Sequence, residues 1–421
     1  MKNYINRTIE PEVIRLSKSF PVIMITGPRQ VGKSTLLEFV SQKLNKEMKR
    51  VTLDDISIRS LAIEDPKLFL EIYSPPVIID EFQYAPDLLS YIKIEVDNKR
   101  LEEFKNDTPS NGMYFLTGSQ RFLAMEQVSE SLAGRIGILD LYGLSNKELN
   151  GQKQNLFIPE INDLKKQKNT EPNASMKEIF ERIFKGSFPE TYKNKNILRD
   201  DYFEGYIKTY IEKDIRKLIN VRDEIKFMKF MVAVAARTGQ ELNLSEICKD
   251  AEITNPTANS WLSILVNTGL VVLLEPYSKN IIKRVVKSPK IFFMDTGLAS
   301  YLTKFPSADI LENSYISGAM FETFVISEII KSFANKGLNP KRYLYYYRDN
   351  HKKEIDLIIE YNNKLYPIEI KKSKNPKKDS VQNFHVLDDT KMEIAIGVVI
   401  CMIDEIFPLN KDNYCIPIRY I

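Results

Sequence analysis

The residues GPRQVGKST, 27–35, directly follow the apolar run VIMIT and fit G-x-x-x-x-G-K-[ST] at every defined position. Gly27 and Gly32 allow the backbone to curl until amide N–H groups face phosphate oxygens. Lys33 neutralises β- and γ-phosphate charge, Ser34 ligates Mg2+ with Thr35 beside it in the nucleotide site, and the following helix offers its positive end. Downstream, PVIIDE places Asp80 and Glu81 at the end of an apolar strand. There the first carboxylate can approach magnesium and the second an attacking water. The next strand ends in FLTGSQ, where Thr117 and Ser119 are both suited to reading a γ-phosphate. The chemistry is binding and hydrolysis of Mg-ATP.

A second stretch, EIDLIIEYNNKLYPIEIK (354–371), carries two apolar-rich runs on either side of Asn362-Asn363. With those asparagines at a hairpin tip, Asp356 falls opposite Glu369. Leu357, Ile359, Ile368 and Ile370 then share a core face, and Glu354, Asp356, Glu369 and Lys371 share the other. Like charges directly opposite destabilise a sheet, and a divalent cation reverses that effect. Oxygen ligands of this kind suit Mg2+ or Mn2+. Lys371 stands where an ammonium can orient or deprotonate a water and offset phosphate charge. Pro367 removes one ladder donor and predicts a sheet edge or irregularity.

Two basic runs suit a phosphate backbone such as that of DNA, or form solvated faces. SKNIIKRVVKSPK (278–290) has Lys279, Lys283, Arg284, Lys287 and Lys290 with no acid, and KKSKNPKK (371–378) follows the hairpin with Lys371, Lys372, Lys374, Lys377 and Lys378. The helix PTANSWLSILVN presents Asn259, Ser260, Ser263 and Asn267 but no arginine or lysine, which makes it a poor reader of bases. Trp261 reads as core, and this region as a contact between domains or subunits.

These groups need a scaffold, and 421 residues exceed one compact core. Residues 1–150 alternate strands (PVIMIT, RVTL, PVIID, MYFLT, RIGILDL) with helical stretches, which predicts a parallel sheet covered on both faces. The polar stretch beginning at NGQKQN reads as a linker or long loop. Residues 175–237 read as helical, and 238–300 as helix, helix and a two-stranded wing, the order of a winged helix. In that unit Asn243 with Glu246 caps the first helix, Asn255-Pro256 opens the second and Gly269 closes it. Residues 310–421 give one apolar helix and then several strands. Hydrophobic content of 43%, charged content of 28% and a net charge of +4 suit a soluble globular protein. Cys248, Cys401 and Cys415, with two histidines, have no zinc-ligand spacing and make no disulfide framework. With no signal-type leader and no run long enough to span a bilayer, the expectation is a cytoplasmic protein away from membranes.

GPRQVGKST, VIIDEFQ, LTGSQ and SLAGR, in this order, resemble prokaryotic AAA-type ATPases with a winged helix and a C-terminal endonuclease-like domain. GSFPE (186–190), YIEKDIRKL (210–218), FFMDTGLASYL (292–302), MFETFV (320–325), YYYRD (345–349), EIDLIIE and PIEIKKS extend the likeness along nearly the whole chain. The resemblance implies nucleotide hydrolysis by Glu81-activated water and assembly of subunits. It makes Arg135 of SLAGR an arginine finger to a γ-phosphate of its own or a neighbouring subunit, or else a structural ion pair. The hairpin resembles the PD-(D/E)xK nuclease core, with Glu322 of the preceding helix as the further metal-binding acid. Ile355 stands where that core has its usual proline.

Overall fold

Val22–Thr26 (β1) is buried at every position, as a strand covered on both faces must be. It joins Lys49–Thr52 (β2), Val77–Asp80 (β3), Tyr114–Gly118 (β4) and Ile136–Asp140 (β5) in a wholly parallel sheet of order β2-β3-β4-β1-β5. These strands match the runs expected from the sequence to within one residue, β2 beginning one residue before its run and β4 ending one residue after. The computed structural model describes residues 4–44, 48–106, 110–118, 131–166, 174–210, 215, 223–278 and 288–421. Ser119, Lys279, Lys283, Arg284, Lys287 and most of YIEKDIRKL lie outside these.

Beyond the sheet come helices Met176–Lys185, Arg199–Tyr210 and Glu224–Ala235. Next are Gln240–Glu241 (β6), helix Leu244–Ala251 capped by Asn243, helix Asn255–Asn267, Val271–Leu274 (β7) and Lys290–Phe293 (β8). The antiparallel order β6-β8-β7 completes a winged-helix arrangement. Trp261 packs edge-on against Phe227 and Phe230, so it belongs to the core. Its helix ends beside the phosphate loop, where a β-carbon on Gly269 would stand 3.1 Å from Pro28 Cδ.

Helix Ser317–Ala334 is buried almost all round, as its near-continuous apolar sequence requires. It supports a mixed sheet of Leu344–Arg348 (β9), Glu354–Tyr361 (β10), Lys364–Lys371 (β11), Glu393–Ile394 (β12), Gly397–Cys401 (β13), Phe407–Pro408 (β14) and Asn413–Pro417 (β15). The hairpin register is the expected one, from Leu357↔Ile368 to Tyr361↔Lys364. Asn362 and Asn363 form the tip with φ of 50° and 60°, the left-handed pair that a two-residue turn demands. Pro367 lies inside the sheet, where β11 passes from pairing with β12 to pairing with β13. The irregularity was therefore the right expectation and the edge was not.

Two further readings are corrected. The hairpin has two covered faces: Leu357, Ile359, Ile368 and Ile370 join the main core, while Ile358 and Leu365 pack with Val381, Phe384 and Leu387. The crossover Lys378–Leu387 supplies that second cover. The stretch after 150 is also more than a linker, because the apolar residues hidden in it dock. Phe157, Ile161 and Leu164 are buried, Phe157 N–H donates to Ser332 Oγ at 3.2 Å, and Tyr366 Oη donates to Glu160 at 2.6 Å.

Candidate functional site

β1 and β3, parallel and separated only by β4, end on the same edge of the sheet, which brings the phosphate loop to Asp80. Gly27 has φ of 138° and runs so close to β5 that a β-carbon there would lie 2.0 Å from Leu141 O. Gly32 has φ of 93° and caps helix Lys33–Lys43, with nothing within 4 Å of where its β-carbon would stand. Both positions need glycine. Lys33 is buried and folds back on the loop, donating to Gly27 O at 3.0 Å and Pro28 O at 2.8 Å. Ser34 Oγ donates to Asp80 at 2.7 and 2.8 Å, and Thr35 is partly exposed on the same helix.

Thr117, fully buried on β4, donates to Asp80 and accepts the Glu81 N–H at 3.3 Å. It thus ties both acids to the sheet. Glu81 has a left-handed backbone (φ 57°), uncommon outside glycine and a form of strain that clusters at working sites. Gln83 donates to its carboxylate, and Arg29 Nη1 stands 4.0 Å from it. Arg50 reaches Asp80 Oδ2 at 3.2 Å. The sequence reading missed Arg29, Arg50 and Gln83; Arg29 and Gln83 lie inside the two quoted motifs at positions the motifs leave open, and Arg50 is thirty residues from Asp80 along the chain. The donor set fits Mg-ATP, with a hydroxyl and a carboxylate in contact beneath an open glycine cradle. Gly27, Gly32, Lys33 and Ser34 would hold the phosphates, and Ser34 with Asp80 the metal.

Arg135 is not brought to this site. It precedes β5, and its carbonyl accepts the Val22 N–H at the start of β1. The phosphate loop leaves the other end of that five-residue strand, roughly 16 Å away at about 3.3 Å per residue. Arg135 instead clasps Asp97 through two bonds of 2.6 and 3.0 Å and holds that carboxyl below its usual range. A finger role within its own subunit is excluded by this placement.

The C-terminal carboxylates do converge, though around ammonium groups. Lys290, the first residue of β8, is 2% exposed. Its Nζ lies 2.5 Å from Glu354 Oε1, 3.0 Å from Glu322 Oε1 and 4.0 Å from Asp356 Oδ1. Lys371 Nζ sits 2.6 Å from Glu369 and 3.4 Å from Asp356. Asp356 also accepts the Ile370 N–H at 2.9 Å. Burial, then the neighbouring Asp356, push the Glu369 carboxyl up to about 9 despite Lys371. Burial raises Glu322 to about 7, against the pull of Lys290. Among the described residues, no three His, Cys, Asp or Glu side chains are arranged to hold a metal ion. Glu322, Asp356 and Glu369 therefore do not fit the shared divalent cation expected of them in this arrangement. Lys290 is corrected too, from a basic surface residue to a buried partner of acids. No local signal could reveal this, since Glu322 and Glu354 lie far along the chain. Lys374, Lys377 and Lys378 are exposed, while Lys372 turns inward to Glu312 O and Ser317 Oγ.

The two centres are joined through buried polar groups. Arg7 donates to Val31 O of the phosphate loop at 2.8 Å, to Tyr142 O at 2.7 Å and to Glu148 at 3.2 Å. Glu148 closes a capping box with Ser145, and the next amide, Asn146 N–H, donates to Glu328 at 2.8 Å. Glu328 also receives Lys331. It lies on helix Ser317–Ala334, which also carries Glu322.

Residues 19–150 match the model of an AAA domain, and 176–309 and 317–421 match two domains of unknown function. An uncharacterized protein of Mycobacterium tuberculosis is 27% identical over 403 residues, covering 94% of this chain and 80% of the relative, and one of Mycobacterium bovis matches equally. Among solved structures, a Walker-type ATPase of Pyrococcus abyssi aligns with a TM-score of 0.43 at 16% identity, over 72% of this chain and 96% of that one. The Thermotoga maritima RuvB Holliday junction branch migration motor aligns with a TM-score of 0.31 at 14% identity, over 63% and 88%. The parallel-sheet unit is a P-loop AAA-type ATPase domain. No helix of the described residues is long and apolar enough to cross a membrane.

Proposed function

We propose that this P-loop ATPase domain binds Mg-ATP at residues 27–35 and 80–81, hydrolyses it with Glu81 as the base for water, and thereby drives its C-terminal nuclease-like unit on DNA. The carrying observation is the contact of Ser34 Oγ with Asp80, fixed by Thr117, beneath the glycine cradle. Bound Mg2+ supplies charge neutralisation across the phosphates. Lys33 exchanges its loop carbonyls for phosphate oxygens, and Arg29 and Gln83 hold the Glu81 carboxylate in orientation. Arg135 serves a neighbouring copy of the chain, since it is remote from its own phosphate loop.

Coupling is supported by the run of buried polar groups from Val31 through Arg7, Glu148 and Glu328 to the helix of Glu322. DNA as partner is supported by the exposed Lys374, Lys377 and Lys378 that follow the centre. Lys33→Ala should lose nucleotide binding or turnover, whereas Glu81→Gln should retain ATP and hydrolyse it slowly. Unchanged turnover in both would falsify the assignment. DNA should stimulate turnover, and the stimulation should fade with salt as counterion release requires.

Lys290 favours a second reading, an ATP-dependent switch or scaffold whose C-terminal unit cuts nothing. Incubating linear, supercoiled and branched DNA with Mg2+ or Mn2+, with and without ATP, separates the two. Cutting that disappears in Lys371→Ala supports a working centre; intact DNA binding without cutting supports the scaffold.

A further inference from the structure

We infer that Lys290 is an internal counter-cation that closes the C-terminal carboxylate centre to divalent metal, so that metal enters only once β8 has withdrawn its ammonium. The inference rests on reading the hairpin acids as a nuclease-like centre. It adds a gate supplied by a different unit of the chain.

The lysine comes from the winged-helix sheet, whereas its partners Glu322, Glu354 and Asp356 come from a helix and a strand of the C-terminal unit. An ammonium has three donors and accepts nothing, and three carboxylates surround this one at 2.5 to 4.0 Å. One oxygen of each acid is thus turned toward Nζ, closely for Glu354 and Glu322 and at the edge of contact for Asp356. A dication among them would stand within a few ångströms of a like charge at a site largely shielded from water, so the two cations compete for one place. Lys371 satisfies the remaining acid, Glu369, and can stay when Lys290 leaves.

The geometry also provides somewhere for the ammonium to go. Beside Lys290 lies a cleft of about 850 Å³ between the winged helix and the C-terminal sheet, lined by Glu241, Asn243, Ser288, Lys290, Arg348 and Glu354 among others. Arg348 Nη1 stands there 3.0 Å from Glu241 and 3.5 Å from Glu354. β8 is only four residues long and Lys290 is its first. Rotation of that side chain into the cleft would draw the ammonium away from Glu322 and Asp356 without dismantling the strand, and Glu354, itself on the cleft wall, can follow it.

The test is Mn2+ binding to the full chain without nucleotide, followed by electron paramagnetic resonance, in a Lys33→Ala background that silences the phosphate-loop site. Lys290→Met should gain one Mn2+ site per chain, bound at least tenfold more tightly than in the same background with Lys290 intact, and adding Asp356→Asn should remove it. A folded Lys290→Met protein that gains no site overturns the inference, as does an Asp356-dependent site equally tight with Lys290 present. Should Lys290→Met fail to fold, the chain with Lys290 intact gives the answer through amine acylation read by mass spectrometry. Lys290 should resist acylation without metal and become reactive as Mn2+ fills the Asp356-dependent site. Filling of that site with no change in Lys290 reactivity overturns the gate. DNA cleavage is scored separately: metal gained without cutting keeps the gate and removes the nuclease reading.

Discussion

Two centres in this chain combine acids with a buried lysine, and they neutralise their charges in different ways. At the phosphate loop, Lys33 is held by backbone carbonyls, while Asp80 leans on the hydroxyls of Ser34 and Thr117 and on a half-exposed Arg50. At the C-terminal hairpin, Asp356, Glu322, Glu354 and Glu369 bear directly on the buried ammonium of Lys290 and on Lys371. On the inference above, a divalent cation would join the first without displacing a buried positive charge and the second only by displacing one. Acidic residues alone therefore do not make a metal site; what already neutralises them decides.

The largest expected effect lies at the first centre. Loss of a positioned general base costs about 10²- to 10⁴-fold, so Glu81→Gln should lower ATP turnover by that order while nucleotide binding, followed by calorimetry, persists. Turnover within a few-fold of wild type would mean that the strained strand end does no chemistry. At the second centre the effect is on stability. Removing one member of a buried ion pair costs about 3–5 kcal/mol, and Lys290→Met should show this in urea unfolding without metal. Lys33→Ala breaks hydrogen bonds to neutral carbonyls and should lose less, about 1.5–3 kcal/mol. Equal losses would erase the contrast between the two lysines.

Glu369 sharpens the contrast through pH. Its folded-state carboxyl is raised to about 9, above its unfolded range near 4.5, chiefly by burial and then by Asp356. The folded chain thus holds a proton that the unfolded chain has released between those values, and stability falls as pH rises through this window. One proton is worth at most about 1.4 kcal/mol per pH unit. Glu369→Gln should therefore flatten the fall between pH 5 and 8, and an unchanged slope would show that the carboxyl is ionised throughout. The smallest effect belongs to Arg135. Its pair with Asp97 is partly exposed, so Arg135→Ala should cost about 0–1 kcal/mol. The depressed Asp97 carboxyl contributes above its unfolded pKa and loses that contribution as pH falls through its lower folded value. A loss of ATP turnover in concentrated Arg135→Ala far beyond that small cost would reveal the contribution to a neighbouring copy.

Local patterns carried the first centre and failed at the second for a physical reason. The phosphate loop, the Asp80-Glu81 strand end and the parallel sheet are short-range consequences of glycine, apolar runs and strand-helix alternation. The hairpin register was equally legible, because alternation on both strands and the Asn362-Asn363 turn agree. Lys290 was not, since it ends a basic run and acquires its meaning only when the winged helix packs against the C-terminal sheet. Arg135 likewise sits in a recognisable motif, yet its distance from the phosphate loop follows only from the parallel pairing of β5 with β1, which puts the start of β5 at the far end of the sheet. Thr117 and Ser119 could not be separated by sequence; the side chain of Thr117 holds both acids, and Ser119 lies outside the described residues.

The most direct test of the contrast is the number of Mn2+ ions bound by the wild-type chain with a non-hydrolysable ATP analogue and no DNA. One ion per chain, lost in Lys33→Ala and retained in Asp356→Asn, is the predicted result. A second tightly bound ion that disappears in Asp356→Asn would contradict the account, because it would show the C-terminal centre open to metal with Lys290 in place.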